Sequence, residues 1–218
     1  MKFFFKNNGL SIVFFLLFVI SYAGQVYTGY HVHNNELKES GAATVSILSY
    51  ASSGHLIQAT FENWESEFLQ MALFVILTVF LKQKGSSESK DFKSENPVDK
   101  EPRANKKHVP WPVKKGGIIL KLYKHSLSVA LLILFIVSFV LHFYGSLKDE
   151  NNTNLIKGIA AVSGKDYLLN SRFWFESFQN WQSEFLSVFT LVVLSIYLRQ
   201  IGSPQSKAVD DPQYKTGE

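Results

Sequence analysis

The chain reads as an all-α integral membrane protein, with four transmembrane helices arranged as two tandem, parallel two-helix repeats. Three observations lead there. Four strongly apolar runs alternate with polar segments, so a mean hydropathy of +0.04 hides a membrane composition. Residues Phe61 to Lys90 (FENWESEFLQMALFVILTVFLKQKGSSESK) recur as Phe178 to Lys207 (FQNWQSEFLSVFTLVVLSIYLRQIGSPQSK), with every aligned pair 117 residues apart. Between the two copies, Lys82 to Lys124 carries 12 Lys or Arg against 5 Asp or Glu.

The first repeat is expected to fill residues 1–90, with transmembrane helices at about 9–27 and 62–82. Its start resembles a secretory signal: Lys2 and Lys6 precede an apolar core, and Ser21-Tyr22-Ala23 fits a small-x-small cleavage site. The repeat argues for retention instead. The offset extends back to pair Leu10-Ser11, Leu17-Phe18 and Ser21 with Leu127-Ser128, Leu134-Phe135 and Ser138, and a run with a mid-chain twin is expected to stay in the membrane. From Leu10 to Lys90 about a third of positions are identical to their partners, several-fold above chance, so the chain is a duplication. A loop of roughly 25 residues joins the two helices of each repeat. Residues 91–120 form a basic, Ser-, Glu- and Pro-containing linker expected to be flexible. The second repeat fills residues 121–218, with helices at about 125–145 and 179–199 and a polar tail.

The positive charge belongs to the linker, so the positive-inside bias explains it without nucleic acid. The linker and both termini are then cytoplasmic in an inner membrane, and two crossings per repeat make the copies parallel. Trp64 and Trp181 are placed as outer interface anchors. Trp111, between Pro110 and Pro112 and flanked by lysines, is placed as an anchor ahead of the third helix. The chain has no cysteine, which excludes disulfides, thiolate catalysis and thiolate metal sites.

The informative residues lie inside the second and fourth helices. Counting back from Lys82 at about 1.5 Å per residue puts Trp64 near the outer interface and Glu67 about 22 Å in, within the hydrocarbon. Asn63, Ser66, Glu67 and Gln70 sit at i, i+3, i+4 and i+7, a single polar face repeated as Asn180, Ser183, Glu184 and Ser187. Glu62 and Glu65 became Gln179 and Gln182, so the face-borne carboxylate is the one both copies hold. Gln25 and His142, at equivalent positions on the first and third helices, are candidate partners at similar depth. Two readings stay open. Such groups are ordinary interhelical hydrogen-bonding glue, or a site that handles an ion or proton.

His31, Val32, His33 and, further on, His55 suggest a metal, but the second copy has Lys148, Asp149, Glu150 and Arg172 in their places. A solvated loop is the expectation, with no metal and no cofactor. No nucleotide motif or nucleophile-and-base pattern points to an enzyme. The expected role is non-enzymatic, structural or partner-binding, with the lipid bilayer and an envelope protein or second copy as partners. The alternative is a small ion- or proton-coupled transporter or channel, which four helices accommodate only as an oligomer.

At the motifs NW[EQ]SEFL and [KR]QxGSxxSK the chain resembles a family of small bacterial four-helix inner-membrane proteins catalogued as a domain of unknown function. The resemblance spans both repeats and implies a four-helix integral membrane protein, without an activity, a substrate or a site residue.

Overall fold

The computed structural model describes residues 2–92, 96–106 and 108–217, except the side chains of Lys2 and Phe3. Met1 of the signal-like start, and residues 93–95 and Lys107 of the linker, lie outside the described residues. Within them the chain is all-helical: α1 (Lys2–Glu39), α2 (Ile47–Tyr50), α3 (Gly54–Phe80), α4 (Trp111–Lys115), α5 (Gly117–Lys124), α6 (Ser126–Ile156), α7 (Gly164–Leu168) and α8 (Ser171–Tyr197), with one 3₁₀ turn at Pro97–Asp99. Two of them, α1 and α6, are long and apolar enough to cross a membrane.

The chain divides into two compact units, Met1–Phe61 with Val140–Phe173, and Glu62–Phe139 with Trp174–Glu218. In the first unit, α1 runs about three turns beyond the expected apolar span, to Glu39, and α6 likewise continues to Ile156. Nothing between Tyr27 and Glu39 breaks a helix, so the stop waits for a left-handed glycine. Gly41 has φ 73°, with Gly41 N–H bonded to the Lys38 carbonyl and Ala42 N–H to that of Leu37. This is a Schellman closure. Gly158 (φ 68°) closes α6 in the same way, through Gly158 N–H to Leu155 and Ile159 N–H to Asn154. The expected 25-residue loops are therefore largely helix, and residues 40–53 contain α2 besides.

Each of these turns is held by one asparagine. Asn34 accepts from Val45 N–H at 2.7 Å and donates to the Val45 carbonyl at 3.1 Å. Asn151 does the same with Val162, at 2.7 and 3.1 Å. Ser46 and Ser163 then cap the short helices α2 and α7 by accepting from Ser49 N–H and Asp166 N–H. Tyr50 and Tyr167, which end those turns, are buried. Each numbered pair is 117 residues apart, as are the bounds of α3 and α8.

The long helices α3 and α8 start where Ser53 Oγ accepts from Leu56 N–H and Asn170 Oδ1 accepts from Arg172 N–H. Near its start α3 crosses α6 at close range. A Cβ on Gly54 would meet Asp149 N at 2.5 Å and the Gly145 carbonyl at 2.8 Å, and a Cβ on Gly145 would meet Gln58 N at 2.5 Å. Only glycine permits that approach.

In the second unit α3 ends at Phe80, ahead of the Lys82 end expected from the sequence, so Gly85 (φ 87°) serves a later turn rather than the helix cap. Serines compete for the backbone here. Ser89 Oγ takes Gln83 N–H, and the matching Ser206 Oγ takes Gln200 N–H, both at 2.9 Å. The tail closes over this exit: Thr216 Oγ1 accepts from Gly85 N–H, and Ser86 and Ser195 hydroxyls lie 2.8 Å apart. Lys207, buried, donates to the carbonyls of Gly85, Gln213 and Lys215. Burial, followed by the nearby charge of Arg199, pulls its ammonium below the usual lysine range.

Candidate functional site

The polar residues of α3 and α8 divide by depth of burial. Glu65 and Ser66 are buried, Gln70 is half-buried, and Asn63 and Glu67 are exposed. On α8, Asn180, Trp181 and Glu184 are half-buried, while Ser183 and Ser187 are exposed. Several of these side chains bond their own helix: Ser66 to the Asn63 carbonyl, Ser187 to that of Glu184, and Asn180 to that of Glu176.

In this unit polar side chains of α3 and α8 meet. The Trp181 indole N–H donates to Glu65 Oε1 at 2.8 Å. A fully buried carboxylate is thereby given a donor, and an indole that sits at the expected interface depth is given an acceptor. Glu67 on α3 and Glu184 on α8 lie within electrostatic reach of each other.

In the first unit, Gln25 Nε2 donates to the Ala59 carbonyl at 3.1 Å, tying α1 to α3. His142 is fully buried, its ring 4.9 Å from that of Phe173. Trp64 is half-buried. Trp111 is exposed, with the Lys115 ammonium 5.1 Å above its ring, a cation–π arrangement suited to an interface.

A second polar cluster lies in the first unit, where the sequence predicts a solvated loop and the structure has the end of α1. His33 and Glu36, one turn apart on α1, meet His55 at the start of α3. The His33 and His55 rings are 5.0 Å apart, and Tyr50 Oη lies 3.0 Å from His55 Nδ1. Burial, then the charge of His55, holds His33 below the ordinary histidine range. Burial pushes the Tyr50 hydroxyl up to about 12, with the carboxylates Asp149 and Glu36 adding to it. Asp149 on α6 is raised by burial and drawn back by His55, Arg172 and His33. His31 stands apart, packed against Tyr27 and Tyr30.

Comparing the copies singles out residues that both retain, so it passes over partners that differ between them. Glu65 faces Trp181, not a second glutamate, and the histidine cluster has no histidine counterpart. The histidines themselves and the i, i+3 spacing of His33 and Glu36 are the signals the sequence offers.

The sequence model of one family, described as Domain of unknown function (DUF6766), matches residues 1–218, and the chain belongs to that family. No curated protein and no solved structure matches it.

Proposed function

For this member of the DUF6766 family we propose a non-enzymatic role in a bacterial inner membrane, as a structural or partner-binding protein of four transmembrane helices. One observation carries the membrane reading. Among the described residues the buried side chains comprise seven apolar and fourteen polar ones, whereas every large apolar side chain from Val13 to Ile20 is exposed. Such a distribution suits lipid outside and hydrogen bonds inside. The same argument extends to α8, which exposes Phe185, Leu186, Phe189, Leu191 and Leu194, and to α3, which exposes Met71, Leu77, Val79 and Phe80. Tandem parallel repeats are supported by the turns and helix bounds that recur at the same offset, and cytoplasmic termini by the basic linker.

In this reading the polar residues clamp helices, and Glu65 with Trp181 is the principal clamp. Glu65→Ala leaves a half-buried indole donor without its acceptor and should cost about 1–3 kcal/mol, read as a lower unfolding temperature in lipid nanodiscs. Glu65→Gln keeps an oxygen acceptor and should cost far less. An alanine variant as stable as the parent removes the clamp.

The nearness of Glu67 and Glu184, the carboxylates both copies hold, favours a second reading, a proton-coupled carrier assembled from more than one copy. It requires proton flux in reconstituted liposomes that disappears in Glu67→Gln with Glu184→Gln while folding is preserved. Flux equal in the double variant, or absent from the parent, leaves the clamp alone.

A further inference from the structure

The histidine cluster of the first unit goes beyond either role. One nitrogen from each of His33 and His55 and one oxygen of Glu36 all lie within 4.8 Å of one another. That spread matches ligands arranged at about 2.0–2.2 Å around one ion, after small rotamer adjustment. His55 is already oriented. Its Nδ1 lies 3.0 Å from Tyr50 Oη, so Nε2 is the nitrogen left for an ion, an arrangement of the kind that second partners impose on ligating histidines. Asp149 on α6 adds negative charge near both imidazoles while pairing with Arg172 Nη2 at 3.8 Å. A cavity of about 340 Å³ is lined by His33, Glu36 and Asp149 and gives access.

The second copy explains what such a site would replace. Adding 117 to His33 and His55 gives Glu150 and Arg172, and these form a salt bridge with Arg172 Nη1 2.5 Å from Glu150 Oε2. At this position the end of one helix is joined to the start of the next by opposite charges. Two imidazoles cannot make that link to each other. A cation shared between them can.

We propose that His33, Glu36 and His55 bind one first-row divalent transition ion, zinc matching the donor set of two imidazoles and one carboxylate best. The ion staples α1 to α3 in the first unit where the second copy uses an ion pair. Its affinity becomes folding stability, because the ligands come from two separate helices.

The test uses the full chain without a histidine tag, in lipid nanodiscs after chelator treatment, titrated with Zn²⁺ by calorimetry and followed by thermal unfolding. Saturable binding of one ion per chain and a raised unfolding temperature are expected. His33→Gln and His55→Gln should each weaken binding at least about tenfold, and His31→Gln should leave it unchanged. Exchanging the pair for the second copy's residues, His33→Glu with His55→Arg, should give a folded chain whose unfolding temperature no longer responds to Zn²⁺. Absence of saturable binding, equal loss in His31→Gln, or an undiminished zinc response in the exchanged variant would overturn the proposal.

Discussion

At the scale of single residues, the burial of Tyr50 sets a pH dependence. Its folded value, about 12, lies above the ordinary 10, so the neutral hydroxyl is favoured by the fold. The associated stability is complete below pH 10 and is lost as pH rises through about 12. Unfolding temperatures measured from pH 9.5 to 12 should therefore fall more steeply for the parent than for Tyr50→Phe; parallel curves would show that the hydroxyl titrates as in the unfolded chain. Little of this was legible in the sequence. Asn34 and Asn151 are identical in both copies, yet a polar residue beside a polar loop carries no mark of the backbone it will clamp. Glu67 and Glu184 were legible because both copies hold them. Glu65 was not, because its partner is an indole on a different helix, and only the packed structure pairs unlike residues.

Between elements, the crossing of α3 and α6 rests on two glycines. Gly54→Ala or Gly145→Ala would push a methyl group against backbone atoms at 2.5 Å, and each should destabilise by about 1–3 kcal/mol, measured by thermal or detergent unfolding. The two share one contact, so the double variant should cost less than the sum. Unchanged stability in both single variants would mean that the crossing is looser than described. Their equivalents in the other copy are Ser171 and Thr28, so the duplication does not point to them. Helix existence was legible from apolar runs, whereas helix length was not. Hydropathy reports where lipid solvates a helix, but α1 and α6 end only at Gly41 and Gly158, where the backbone turns left-handed.

For the whole molecule, the absence of cysteine makes membrane topology directly measurable. Single cysteines at Ala43 and Ala160 should react with an impermeant maleimide from outside intact cells, and those at Val98 and Ala208 only after permeabilisation. If α1 and α6 alone cross, Val98→Cys reacts from outside and Ala160→Cys is protected. The duplication made the order of elements legible across the whole chain. It did not reveal that the tail following the second copy folds back, since Pro212 to Gly217 has no equivalent contact partner in a chain read by hydropathy.

That returning tail introduces time into the assembly. Gly85 N–H and Thr216 Oγ1 are 131 residues apart in the chain. At about 5–20 residues per second, roughly 7 to 26 seconds of synthesis separate the emergence of the exit of α3 from that of the hydroxyl that caps it. Until then Gly85 lacks its acceptor, and its carbonyl lacks the ammonium of Lys207. The first repeat therefore leaves the ribosome unfinished, and its completion is a late event that depends on the second.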